Sequence, residues 1–152
     1  MAGWTNRAKY QTLGWLFVRT DTLPTYWYMV LVTDATAPTA DINVMSELTE
    51  VGDGTGYTNG GIQLTPGTTD FDVWTEDDTN DRGLVQIRDL VWTASGGDMP
   101  DGDSARYSCL TCDDATPASR EILWYFDLVS NRQVSDTQTL TLQNCEIRIN
   151  ES

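Results

Sequence analysis

The apolar positions of this chain begin with a helical period and then abandon it. Over residues 5–17, Ala8, Leu13, Leu16 and Phe17 fall close to one side of a 3.6-residue repeat. Thr5 stands where an N-cap hydroxyl accepts the first free amides of a helix. Gly14 interrupts the run and weakens its last turn. The segment is therefore expected to be an amphipathic helix packed on a sheet, with docking to a neighbouring subunit as its other use. Leu23-Pro24 stops any helix. The next run, Tyr26-Trp-Tyr-Met-Val-Leu-Val-Thr33, is aromatic, β-branched and almost uninterrupted. Such a run predicts a strand buried on both faces.

Residues 35–41 read as a loop punctuated by Pro38, and Asp41 or Thr39 could cap a short helix over 42–49. Gly52-Asp-Gly-Thr-Gly56 and Asn59-Gly-Gly61 are dense turn signals, followed by a short strand at 62–65. From residue 70 strand follows strand: 71–74, 83–93, 107–112, 122–129 and 139–149, separated by Gly, Asp, Asn, Pro and Ser. In the last of these, Leu140 and Leu142 share one face, while Cys145, Ile147 and Ile149 fall on the other. A bulge near Gln143-Asn144 would return both sets to one core. No internal repeat or linker divides the chain. The pattern predicts one domain over 1–152, with a helical segment at 5–17 and a β domain at 24–150. The fold class is mainly β, an antiparallel sandwich or jelly-roll-like domain with an N-terminal helix.

Composition narrows what such a domain does. At 152 residues the chain can bury roughly 68–70% of its unfolded surface, enough for a core without staples. Nine basic residues stand against 23 acids, a net charge of −14, so phosphate backbones and anionic headgroups are repelled. Neither nucleic acid nor membrane is expected as a partner. The sequence contains no histidine, which removes His-based triads, zincin sites and the usual general base at neutral pH. No stretch approaches the roughly 18–20 apolar residues that cross a bilayer, and the first residues lack the apolar core of a secretory signal. Synthesis in a cytosol is expected, with three sparse cysteines that do not form a disulfide framework.

Candidate chemistry is thin. Asp77, Thr79 and Asp81 alternate like the first ligands of a calcium loop, but the turn glycine comes late, at Gly83, and Arg88 occupies the bidentate position. Cys109 and Cys112 have CxxC spacing with Cys145 as a third thiol, yet a fourth ligand is missing and positions three apart on a strand diverge. Free thiols without metal are the expectation. Asp34, Glu76, Asp89 and Asp127 border predicted strands and are the first candidates for a two-carboxylate hydrolase. Any chain with 23 acids offers such pairs. The aromatic set Trp4, Trp15, Tyr26, Trp27, Tyr28, Trp74, Trp92, Trp124 and Tyr125 could stack sugars or bases, although most of it alternates with aliphatics inside strands.

Several segments carry a resemblance. Trp4-Thr-Asn-Arg-Ala-Lys-Tyr10, the strand at 26–33, Ala37-Pro-Thr-Ala-Asp41, Ser46-Glu-Leu-Thr-Glu50 and Gly56-Tyr-Thr-Asn-Gly-Gly61 appear in this order. Asp72-Val-Trp-Thr-Glu-Asp-Asp78, Val91-Trp-Thr-Ala-Ser-Gly-Gly97 and Leu140–Ile149 follow. Together they resemble small virion structural proteins of tailed bacteriophages. The resemblance implies a virion component, assembled in the host cytoplasm, with no catalytic residue, cofactor or metal. Capsid decoration (a cement protein bound to the major capsid protein) is the preferred assignment. A tail, neck or head-to-tail adaptor protein is the near alternative, and a carbohydrate- or calcium-binding β module the distant one. High charge keeps such a subunit soluble before assembly. A homo-oligomer, a trimer by preference, would multiply weak footprints on a lattice. The contact is expected around Trp4, Arg7, Lys9 and Tyr10, where basic groups stand out from an acidic chain.

Overall fold

Trp27–Val32 forms the strand that its side chains favour, and the rest of the molecule is arranged around it. The computed structural model describes residues 2–18 and 22–150. The strands are β1 (Gly3–Trp4), β2 (Trp27–Val32), β3 (Ile62–Leu64), β4 (Val73–Asp77) and β5 (Arg82–Ile87). They continue as β6 (Leu90–Thr93), β7 (Ala105–Cys112), β8 (Ile122–Arg132), β9 (Thr139–Leu142) and β10 (Cys145–Asn150). One helix, α1 (Asn6–Leu13), runs on into a π-helical turn over Gly14–Val18.

Five strands make one antiparallel sheet in the order β1-β8-β7-β2-β3. β2 lies between β7 and β3, and successive side chains enter two different cores. Met29 and Leu31 join the larger cluster with Leu64, Ile87, Trp92 and Leu110. Val30 and Val32 join a smaller one with Met45, Leu48, Cys109 and Tyr125. Two apolar faces leave no place for a polar alternation, as the uninterrupted run predicts. The fold is mainly β, antiparallel and sandwich-like, with a single helix at its start.

The second layer is a long two-stranded ribbon, widened by β4. Here β5 and β6 run against β10 and β9 in one register, with Ile87 opposite Cys145 and Leu90 opposite Leu142. The predicted strand at 83–93 is thus two strands, and so is that at 139–149. At Arg88-Asp89 and Gln143-Asn144 both strands change the face they bury, from Ile87 to Leu90 and Trp92, and from Leu140 and Leu142 to Cys145 and Ile147. The expected bulge names the right place and the wrong device. A bulge would slip one strand by a residue, whereas this pair reverses together and keeps its register. Asn144 takes the left-handed conformation (φ 54°), and the Gln143 amide donates to Asp89 across the break at 3.2 Å.

Other expectations move by less. The strand at 71–74 lies instead at Val73–Asp77, and only one 3-10 turn, Met45–Glu47, forms within 42–49. Neither Asp41 nor Thr39 caps that turn; the Glu47 carboxylate accepts the amides of Asn43 and Val44 at 2.9 and 3.0 Å. Gly61 (φ 72°) passes so close to β2 that a Cβ would lie 2.0 Å from the Met29 carbonyl oxygen, which explains the Gly-Gly ending of that turn.

The helix departs most from expectation. Thr5 does cap it, accepting the Ala8 amide at 3.0 Å while donating to the Ile122 carbonyl at 2.5 Å. Yet the buried residues of α1 are Ala8 and Gln11. Leu13, Leu16 and Phe17, expected on the inner face, are 58%, 62% and 77% exposed. The Arg7 guanidinium pairs with Glu121 at 2.6 Å and the Gln11 amide donates to the same carboxylate, so polar groups seat the helix while Tyr10, Leu13, Leu16 and Phe17 face out.

Candidate functional site

The N-terminal residues position one end of the molecule. β1 pairs with β8 so that Trp4 lies opposite Trp124, their rings 5.3 Å apart edge to face. The Trp4 indole N–H donates to the Arg148 carbonyl at 2.7 Å, tying the five-stranded sheet to β10. Trp4 is therefore half-buried and already has partners. Arg7 is held by Glu121 and lies over the Tyr10 ring at 5.4 Å. Lys9 and Tyr10 are exposed, and among the described residues Lys9 reaches only Asn6, at 3.5 Å. Of the four residues expected to carry a partner contact, two are used within the fold and two stand open beside Leu13 and Leu16.

Behind them lies an apolar cavity of about 400 Å3. The five-stranded sheet supplies Trp4, Trp27, Leu110, Leu123 and Trp124; the ribbon supplies Trp74, Val85 and Ile147; the helical segment supplies Thr12 and Trp15. Pro66, Gly67, Thr68 and Phe71 close it from the loop after β3. Every tryptophan except Trp92 lines this space, and no lining side chain is charged. Trp15 meets Trp27 edge to face at 6.0 Å. Among the described residues, the indole N–H groups of Trp15 and Trp124 are buried and have no acceptor. A broader groove adjoins it across Trp4 and Trp124, with Lys9, Leu13, Leu16, Glu146 and Arg148 along its walls. The sequence names these tryptophans but not their meeting, because the five come from five separate segments; tryptophan abundance is the one available signal.

The acidic candidates are dispersed. Asp34 accepts from Asn131 at 3.0 Å, Asp89 sits at the ribbon break, and Asp127 pairs with Arg106 on β7. Glu76 lies in an acidic surface groove with Asp77, Asp78 and Asp81. None of the four shares a cavity with another of them among the grooves described. Asp77 turns to Asn80 and Arg82, which hold its carboxyl below the usual range, and Asp81 takes a left-handed turn conformation (φ 49°). The calcium-like spacing is thus a β4–β5 hairpin turn. The Arg88 guanidinium, 2.5 Å from Asp70, and the Thr65 amide hold the Asp70 carboxyl low in the same way.

The three cysteines are buried, unbridged and apart. Cys109 belongs to the smaller core and Cys145 to the larger, while the Cys112 sulfur accepts the Glu121 amide at 3.2 Å. Burial raises all three thiols, Cys145 to about 11. Among the described residues no three His, Cys, Asp or Glu side chains form a set able to hold a metal ion, and no helix is long and apolar enough to cross a membrane.

Two buried polar residues escaped the sequence reading. Tyr57 donates to Glu50 at 2.7 Å and accepts the Leu31 amide at 3.2 Å; burial first, and Glu50 second, push its phenol well above the usual range. Arg120 stacks on the Tyr28 ring at 3.6 Å and donates to the Gly60 carbonyl at 2.7 Å, clamping the loop that enters β3. Comparison with protein-family models, with curated proteins and with solved structures finds no match to this chain.

Proposed function

We propose that this protein is a structural subunit of a bacteriophage virion, a capsid decoration (cement) protein that binds the major capsid protein and stabilises the head shell. The observation that carries the reading is the outward apolar face of the helical segment. Tyr10, Leu13, Leu16 and Phe17 stand in solvent on a chain of net charge −14. Contiguous exposed apolar groups rimmed by polar ones favour a protein contact. The polar seating of the helix on Glu121 leaves that face free, and Lys9 adds a positive group beside it for an acidic partner surface. Trp4 and Arg7 hold the helix in place, so Lys9 and Tyr10, with the leucines and Phe17, form the contact itself. Oligomerisation, with a trimer at the local three-fold positions, lets several such contacts act together.

The test uses heads assembled without the protein. Full-length chain should bind them and raise their melting temperature, while the triple variant Leu13→Ser, Leu16→Ser, Phe17→Ser should fold yet bind far more weakly. Light scattering should give a mass above one subunit. Copurification with tails and never with heads would replace decoration by a tail or neck role. Equal binding by the triple variant would remove the helix face from the contact.

A further inference from the structure

We propose that the outer edge of β4 takes up an extended, basic segment of a protein partner as an added strand. This contact is separate from shell binding through the helix face and stands without it. Among the described residues β5 alone pairs with β4, so alternate amides and carbonyls of Val73–Asp77 face out of the sheet. Most of the other open edges are shortened or covered. β1 and β3 have two and three residues, and Pro66 follows β3 closely. Past β1, the edge of β8 is interrupted at Val129, which is left-handed (φ 70°) and gives its amide to the Asp127 carboxylate at 2.7 Å. On β10 the Trp4 indole occupies the Arg148 carbonyl. β4 instead runs five residues in unbroken register with β5, without proline, lysine or bulge.

The side chains along this edge define its occupant. Trp74 is 87% exposed, and tryptophans of this kind anchor protein contacts. Glu76 shares its face of the strand, and with Asp78 and Asp81 of the following turn it lines the same groove as Trp74. Among the described residues these three carboxylates have no hydrogen-bond or ion-pair partner, whereas Asp77 and Arg82 are paired with each other. An incoming strand with an aliphatic side chain against Trp74 and a lysine or arginine against Glu76 satisfies both. A second copy does not. Antiparallel self-pairing centred on Thr75 sets Trp74 against Glu76 and supplies no cation, between chains of net charge −14.

The probe is a capped peptide, Lys-Ser-Lys-Thr-Leu-Thr, which in antiparallel register puts its leucine against Trp74 and its second lysine against Glu76. Titrated into full-length, nitrogen-15-labelled protein, it should shift the amides of residues 73–77 and slow their hydrogen exchange, saturating below about 1 mM. Trp74→Ser should weaken binding about tenfold. The double variant Glu76→Lys, Asp78→Lys should weaken it comparably and should instead take up Glu-Ser-Glu-Thr-Leu-Thr, which the parent rejects. All three positions are exposed, so these variants leave the core intact. N-methylation at alternate peptide positions should abolish binding in one phase and spare it in the other, because only one set of amides faces β4. The proposal is overturned by unmoved β4 amides, by equal binding of the acidic peptide to the parent, or by equal loss from both methylation phases. It is also overturned if exchange along β4 slows with protein concentration alone, which assigns the edge to a second copy.

Discussion

Strand β2 and the helical segment at 6–18 are both rich in large apolar side chains, and apart from Trp15 the helical segment turns its own outward. Met29, Val30, Leu31 and Val32 are shared between two cores and see almost no water. Tyr10, Leu13, Leu16 and Phe17 are mostly in water, while Ala8 and Gln11 face inward. Hydrophobicity along the chain therefore says that a segment has an apolar face, and not that the face is covered. What covers β2 is the ribbon on one face and the turn carrying Met45 and Leu48 on the other. What holds α1 is the Glu121 carboxylate with Arg7 and Gln11, together with Thr5 on the Ile122 carbonyl.

The sharpest test of that contrast truncates one side chain in each region. Leu31→Ala should lower unfolding free energy by about 3 kcal/mol in urea titration, within the range for buried leucines. Leu16→Ala should change it by no more than about 0.5 kcal/mol, as surface substitutions do. A large loss at Leu16 would mean that the helix face is covered in the free protein.

Polar groups inside the β layers should matter next most. Tyr57→Phe removes the donor to Glu50 and leaves the Leu31 amide without its acceptor, for an expected loss of about 1–2 kcal/mol. No loss would place water, rather than Tyr57, as the working partner of that amide.

Smaller effects follow pH. The Cys145 thiol titrates near 8.5 in an unfolded chain and is raised to about 11 in the fold. Its contribution is complete below about 8.5 and disappears as pH climbs through 11. Cys145→Ala should flatten the alkaline limb of the stability curve. At the acid end the sign reverses. Asp70 is held low by Arg88 and the Thr65 amide, so its contribution is present above about 4 and is lost as pH falls below that. Asp70→Asn should flatten the acid limb, read from chemical denaturation at successive pH values.

Local sequence is a sufficient guide where one residue's neighbours in the chain decide its fate. Thr5 caps because its hydroxyl reaches the amide three residues on. β2, β7 and β8 lie close to where β-branched and aromatic runs place them. It failed at Leu13, Leu16 and Phe17, because helical spacing fixes which residues share a side and not which side the sheet takes. It failed at 139–149 for a related reason. The parity change was visible, but a bulge and a paired reversal leave the same mark on one strand, and only the partner strand tells them apart.

By itself, then, the sequence determined the mainly β class, the helix start at Thr5, the doubly buried strand at 27–32 and the acidic field of the surface. These follow from short-range backbone preference, side-chain alternation and charge, all of which act locally or by simple summation. The tertiary structure alone decided that five tryptophans from distant segments line one cavity, that Glu121 seats the helix, and that Arg120 closes over Tyr28. Those meetings span tens of residues in the chain. They depend on sheet order, strand register and the turn of a ribbon, which no single segment encodes.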